Sequence, residues 1–287
     1  MNQLTDKNTA FSATTTIKFG SKQLVKKGPL VMGILNLTPD SFFDGGRHSG
    51  KAEMLQQVSS MLSDGADLID IGAMSTRPGA SEVSEQEELD RLLPALEILC
   101  SHFPEVLFSI DTYRSGVAMA CIKGGAGMIN DISGGTFDPA MAEFIGQQNI
   151  PFVLMHIHGQ PRTMQENPMG DQVTAHVIEF LRKQLAVFIQ AGASQLFVDP
   201  GFGFGKSLGA NYVLLSEMHR LRALGFPILV GLSRKSMIYK LLEITPEEAL
   251  NGTSVLHSLA LMQGASILRV HDVKEAVQTI HLLSQVM

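Results

Sequence analysis

Eight short apolar runs punctuate the chain, and each is followed by a polar loop and then by a stretch of helical periodicity. The runs are LVMGIL from Leu30, DLIDIG from Asp67, VLFSID from Val106 and GMIND from Gly127. PFVLMH from Pro151, QLFVDP from Gln195, PILVGLS from Pro227 and SILRVH from Ser266 complete the set. They are nearly continuous rather than alternating, which predicts strands covered on both faces of a parallel sheet. Between them the pattern changes period. In residues 172–191, Val173, Val177, Leu181, Leu185 and Phe188 fall on one stripe at spacings of four and three, the mark of an amphipathic helix. Parallel neighbours need crossovers, and helices of this length supply them. Eight strand–helix units in 287 residues fit a closed (β/α)8 barrel of the TIM type. An open doubly wound sheet is the structural rival.

Two features lie outside the repeat. Residues 15–29 alternate around Gly20 and predict a β-hairpin that plugs the lower end of the barrel. Residues 1–14 are expected to be flexible, and 15–287 to form one domain with no linker inside it. Residues 36–50 and 73–84 are rich in Gly, Pro, Ser and Asp and longer than an ordinary strand-to-helix connection. Such loops are candidates for active-site lids.

A barrel of this kind keeps its active site where the strands run out into loops. Asn36, Asp70, Asp111, Asn130, His156, Asp199, Ser233 and Arg269 stand at or near the ends of the runs. Any one of them is explained by a strand meeting water. Jointly, amides, carboxylates and a guanidinium suit a polar heterocycle better than a metal cage, which would repeat His or carboxylate ligands. Asp111 and Asp199 each follow apolar residues, and a partly buried carboxylate needs donors. An adjacent ring N–H and exocyclic amine match the two oxygens of one carboxylate. Asn130 both donates and accepts, and Lys235 in GLSRKSM could reach a ring carbonyl, with Arg234 beside it as a surface or salt-bridge residue. In LRVHDVKEA, Arg269 and His271 fall on one side of an extended strand, and Asp272 with Glu275 has helix-capping spacing. An Arg, a His and a fresh helix start together make an anion site.

Composition narrows the function class. Hydrophobic residues make up 45% and charged residues 17%, enough for one extensive core. The formal charge of −6 is spread without long blocks, so no basic face for nucleic acid is visible. No stretch reaches the roughly 18 apolar residues needed to cross a bilayer. The first residues lack the basic-then-apolar pattern of a secretory signal, and a cytoplasmic protein is expected. Cys100 and Cys121, the two cysteines, belong to no metal or redox motif and read as reduced thiols. DPGFGFGK lacks the Gly of a nucleotide-binding loop because Pro200 stands there, and His156 and His158 find no third zinc ligand at convincing spacing.

Taken in order, the motifs resemble dihydropteroate synthase. They are MGILNLTPDSFFDGG (32–46), STRPGA (75–80), IDT (110–112), INDISGG (129–135) and LMHIHGQPRTMQ (154–165), followed by DPGFGFGK (199–206), GLSRKSM (231–237) and MQGASILRVHDVKE (262–275). The resemblance implies a transferase of folate biosynthesis. It would condense 6-hydroxymethyl-7,8-dihydropterin diphosphate with 4-aminobenzoate to 7,8-dihydropteroate and pyrophosphate. It also implies dependence on Mg2+, a homodimer packed through late helices, and a sulfonamide target. By the same resemblance Asp111, Asn130, Asp199 and Lys235 form the pterin pocket, with Arg269 against the ring. Asp111, Lys235 and Arg269 carry the catalysis, Asn36 binds the metal, and Arg269 with His271 receives the leaving group. Thr76, Arg77 and Pro78, together with Phe42 and Ser233, serve the aminobenzoate side.

One departure stands out. The family commonly has a Glu just before STRPG, often as GGESTRPG, whereas this chain reads GAMSTRPG, with Met74 at that place. Two rival readings remain: a pterin-binding methyltransferase on the same barrel, and a pterin-binding protein without activity. The methyltransferase gives no reason for the STRPG, SRK and RVH motifs. Mere binding gives none for the leaving-group residues.

Overall fold

The computed structural model describes residues 9–37, 47–74 and 83–287. A helical turn, α1 (Thr9–Ser12), leads into an antiparallel hairpin of β1 (Thr14–Phe19) and β2 (Lys22–Lys27). Then come the strands β3 (Leu30–Asn36), β4 (Leu68–Gly72), β5 (Phe108–Asp111), β6 (Met128–Asp131), β7 (Phe152–Met155), β8 (Leu196–Asp199), β9 (Ile228–Val230) and β10 (Ala265–Val270). All eight pair in parallel in chain order, and β10 closes on β3. The predicted barrel is therefore observed, with all eight predicted runs in place, and the open-sheet rival is excluded.

The crossovers are α2 (Arg47–Ser63), α3 (Glu85–His102), α4 (Ser115–Lys123), α5 (Ala140–Gln148), α6 (Val173–Gln190) and α7 (Leu208–Ser216), the last followed by a 3-10 helix (Met218–Leu224). After β9 lie α8 (Ser236–Leu242) and α9 (Leu250–Met262), and α10 (Val273–Leu283) ends the fold. The stripe read from the sequence is the buried face of α6: Val173, Val177, Leu181, Leu185 and Phe188 are all in the core, and Phe188 stacks on Phe152 with ring centroids 4.5 Å apart.

Strand parity sets what the barrel contains. Side chains alternate faces every residue, so residues two apart share a side. Leu30, Met32, Leu68, Leu107, Met128, Val153, Phe197, Leu229 and Ile267 form one closed apolar cluster, the lower layer of the interior. Val31, Ile69, Phe108, Ile110 and Ile129, of opposite parity, join the larger core under the helices. Continuing the inner parity upward leads from Leu68 to Asp70, from Leu107 through Ser109 to Asp111, from Met128 to Asn130, from Phe197 to Asp199 and from Ile267 to Arg269. The interior is apolar below and polar above, and that change places the site.

The hairpin closes the lower end. Ile17 is fully buried within the lower apolar cluster, with Leu24 packed beside it. The polar edges of the hairpin are fastened around the rim. Lys18 N–H donates to Gln195 Oε1 at 2.9 Å, and Gln195 Nε2 returns a bond to Lys18 O at 2.8 Å. Lys26 pairs with Asp67 at 2.7 Å, and Asp67 also accepts the Val31 amide at 2.8 Å. Gly20, with φ 57°, makes the turn without a Cβ penalty. Truncating Ile17 to Ala should therefore cost about 2–4 kcal/mol of unfolding free energy, measured by urea denaturation, because the cavity it leaves is walled by strands that cannot collapse. Lys26→Met, at a part-exposed ion pair, should cost at most about 1 kcal/mol. Equal losses for the two would mean that the plug is held from its edges and not by its apolar tip.

Candidate active site

Three strands meet in one charged link. Asp70, on β4, is fully buried, and its Oδ2 accepts from Arg269 Nε at 2.6 Å and from Asn130 Nδ2 at 3.0 Å. Arg269, on β10, turns its Nη2 to Asp111 Oδ2 on β5 at 2.8 Å. Asp70 Oδ1 has no hydrogen-bond partner among the described residues. Burial, ahead of Arg269, governs Asp111: its carboxyl is pushed up to about 7, with Arg269 pulling it down and Asp70, Glu88 and Asp131 adding to the rise. Burial works the other way on Arg269, but Asp70 and Asp111 outweigh it and hold the guanidinium more firmly protonated than usual. Gly72 leaves room beside this link. A Cβ placed there would lie 3.7 Å from both Asn36 Oδ1 and Asp111 Oδ2, so Asn36 at the open end of β3 and Asp111 flank the same glycine.

A second cluster faces the first across the mouth. Asp199 ends β8, and its Oδ1 accepts the Gly201 amide at 2.7 Å. Burial raises its pKa, and the charges of Lys235, Lys206 and Arg269 oppose the rise. Lys235 donates to Phe202 O and sits 4.3 Å over the Phe204 ring. Burial pulls its ammonium down to about 8, Asp199 and Asp111 push it up, and Arg269 adds to the fall. Asp111, Asp199 and Arg269 continue the inner parity of one closed barrel, Lys235 follows β9 beside them, and Asn130 is joined to Arg269 through Asp70. His271 shares the rim: its N–H donates to Ser233 Oγ at 3.2 Å, and its Nδ1 lies 3.1 Å from the same hydroxyl.

The DPGFGFGK segment is a tight frame and no nucleotide loop. Gly201 (φ 68°) and Gly205 (φ 65°) pass so close to the His156 and His158 carbonyls that a Cβ would stand 1.9 and 2.1 Å from them. Lys206 is buried and donates to Gly201 O at 2.7 Å, Phe204 O at 3.1 Å and His156 O at 3.3 Å. Desolvation drives its pKa well down, against the pull of Asp199. His156 is buried, its Nδ1 has no hydrogen-bond partner among the described residues, its pKa is lowered to about 2 by burial and by Lys206, and its ring meets Phe180 edge to face. A neutral packed histidine results.

The ends of the second long loop are held by arginines. Arg91 Nη1 donates to Ala73 O at 2.8 Å. Arg114 Nη1 reaches Met74 Sδ at 3.3 Å, and its Nη2 donates to Val83 O at 2.7 Å. The carboxylate partner of Arg114 is Glu88 on α3, fully buried. A charge partner for Arg114 is thus supplied beside Met74 from another element.

Among the residues named from sequence, Asp111, Asn130, Asp199, Lys235, Arg269, Asn36, Ser233 and His271 lie at the mouth. Thr76, Arg77, Pro78 and Phe42 fall outside the described residues. Two groups lie beyond the reach of the sequence reading. Asp70 stands at a strand end with no role assigned by its motif, although its parity with Leu68 aims it at Arg269. Lys206 ends a motif that is no nucleotide loop, and nothing in the sequence marks it as buried. The capping role expected of Asp272 is not observed: it starts α10, but its carboxylate pairs with Arg234 at 2.9 and 2.7 Å. A guanidinium fork outcompetes the backbone amides for both oxygens. Among the described residues no cluster of three or more His, Cys, Asp or Glu could hold a metal ion.

Comparison with known proteins points to one family. Residues 32–271 match the family model of the pterin binding enzymes. The dihydropteroate synthase of Escherichia coli strain K12 is 46% identical over 257 residues, 89% of this chain and 90% of that protein. The Yersinia pestis dihydropteroate synthase, solved with a sulfonamide drug, superposes with a TM-score of 0.87 at 43% identity, covering 95% of this chain and 99% of that one. The Xanthomonas albilineans enzyme, solved with 4-aminobenzoic acid, gives 0.87 at 39% identity over 96% and 98% of the two chains. The chain belongs to the dihydropteroate synthase family of pterin binding enzymes.

Proposed function

We propose that this enzyme joins 6-hydroxymethyl-7,8-dihydropterin diphosphate to 4-aminobenzoate, releasing pyrophosphate and forming 7,8-dihydropteroate. The observation that carries the reading is the convergence of the Asp70–Arg269–Asp111 link and the Asp199–Lys235 cluster on one rim, with His271 and Ser233 beside them. Asp199 offers carboxylate oxygens to a ring N–H and amine, Asn130 pairs with a donor and an acceptor, and Lys235 meets the ring carbonyl. Arg269 lies against the ring and, with His271, receives the departing diphosphate, stabilising charge that grows as the bond breaks. The dihydropterin methylene carries positive charge on a dissociative path, and the Asp111 carboxylate supports it. A neutral arylamine is nucleophilic already, so no strong general base is needed.

Magnesium suits this donor set, because the ion keeps waters and binds phosphate oxygens in preference to a protein cage. Asn36 would hold it through one neutral amide oxygen at the open end of β3, and the bound ion would neutralise charge on the diphosphate. Thr76 and Arg77 serve the aminobenzoate side, and the sulfonamide carried by the Yersinia pestis relative supports this chain as a sulfonamide target. A folate-pathway role supports a cytoplasmic enzyme. No helix among the described residues is long and apolar enough to cross a membrane.

A homodimer through the late helices is supported by apolar exposure. Val255, Leu259 and Met262 line one face of α9 at spacings of four and three, 52%, 44% and 55% exposed, and Leu241 and Leu242 of the neighbouring α8 are 54% and 52% exposed. Leu259→Glu should halve the mass seen by sedimentation equilibrium at micromolar concentration. An unchanged mass would assign that face another use.

A coupled pyrophosphate-release assay with and without 4-aminobenzoate tests the reaction: release should require both substrates, and release with neither amine nor turnover to dihydropteroate would sink the reading. Asp111→Asn should lower kcat by about 100-fold or more while changing pterin-diphosphate affinity by less than about tenfold. Equal losses in both would deny Asp111 its role in the charged transition state. The pH profile follows from two groups. Asp111 acts ionised, so kcat/KM should fall as pH drops through about 7, and Lys235 acts protonated, so it should fall again above about 8. In Asp111→Asn the acid limb near 7 should vanish, and its persistence would assign that limb elsewhere.

A further inference from the structure

We propose that Arg234 is a positioning residue for the diphosphate end of the site, locking the loop that carries Ser233 and Lys235 onto the loop that carries His271. The proposal rests on the functional reading above.

Arg234 stands between two site residues with φ 53°, a left-handed conformation that a residue with a Cβ seldom takes. Such strain persists only where the surroundings over-determine it, and it concentrates at functional sites. Here the surroundings are specific. The Arg234 amide donates to Thr253 Oγ1 of α9 at 3.1 Å. Its guanidinium grips Asp272 with two parallel bonds, 2.9 Å from Nε and 2.7 Å from Nη2, and Nη1 reaches the carbonyls of Glu247 at 3.1 Å and Pro246 at 3.3 Å.

Asp272 adjoins His271, and His271 bonds Ser233, the residue before Arg234. The same two loops are therefore joined twice, once in the mouth by Ser233 with His271 and once behind it by Arg234 with Asp272. Asp272 starts α10, where a carboxylate ordinarily satisfies the first amides, yet among the described residues it makes no capping bond. Both of its oxygens go to the lock. A lysine at 234 would keep the charge but present a single point-like donor, and the two-bond geometry would be lost. No described hydrogen bond joins Arg234 to Asp111, Asn130 or Asp199, and the far side of the lock adjoins His271, so its loss should be felt most at the diphosphate end, with a smaller effect at the ring through Lys235.

Calorimetric titration of the full-length wild type, Arg234→Lys, Asp272→Asn and the exchanged pair Arg234→Asp with Asp272→Arg separates these ends. The probes are inorganic pyrophosphate and 6-hydroxymethylpterin, the ring without its diphosphate. Arg234→Lys should weaken pyrophosphate by about tenfold and raise KM for the pterin diphosphate, while ring affinity and KM for 4-aminobenzoate change by no more than about threefold, the share transmitted through Lys235 and Ser233 of the same loop. The exchanged pair should recover part of that loss. If Arg234→Lys does not fold, Asp272→Asn gives the same reading. Unchanged pyrophosphate affinity in a folded variant overturns the proposal, as does an equal loss for all ligands. A wild type that neither binds pyrophosphate nor releases it overturns the functional reading, and this proposal with it. An active wild type matched by Arg234→Lys overturns the positioning role alone.

Discussion

The upper half of the barrel depends on one carboxylate. Asp70 has no exposure, and it accepts bonds from residues far away in sequence, Arg269 and Asn130. Without it, Arg269 would face Asp111 alone, and a guanidinium would sit in a barrel interior with one counter-charge instead of two. Burying such groups is costly unless each finds its complement, and the cost of leaving one unpaired exceeds that of never having placed it there. The mouth is built to satisfy that constraint. Asp70, Asp111 and Asp199 face Arg269, Lys235 and Lys206; desolvation sets the direction of the shift at Asp111, Asp199, Lys206 and Lys235, whereas at Arg269 the carboxylates outweigh it. The result is an interior that is polar and ionisable above and oily below, with side-chain bonds between strands added to the sheet.

Much of this was legible from residue order. The eight strands were readable because parallel, doubly covered strands leave near-continuous apolar runs, and α6 was readable because its stripe repeats at four and three. Site residues at strand ends were readable because the barrel dictates which end is functional. What escaped was partnership. Asp70 could be placed at a strand end, but its bond to a residue on the last strand depends on barrel closure, which no local string contains. Lys206 looked like any lysine after a glycine-rich turn, and only the path of the chain past His156 and His158 turns three carbonyls toward it. Asp272 stands at the helix start that its spacing predicts, but its carboxylate goes to a guanidinium from another loop and not to the first amides, a partnership no local spacing contains.

The Met74 position shows how a family pattern can change without removing the charge arrangement around it. The acidic residue common at this place is absent, yet Arg114 keeps a carboxylate, Glu88, drawn from α3, and the thioether packs against the same guanidinium. The ends of the loop at Ala73 and Val83 remain held by arginine side chains.

The stopper formed by Ile17 has a consequence for traffic. With the lower end sealed by an apolar tip among apolar walls, the chamber is a cul-de-sac: both reactants arrive, and both products depart, through the same doorway. Whichever molecule lies deepest must enter first and leave last, so the architecture itself imposes an order on the visitors.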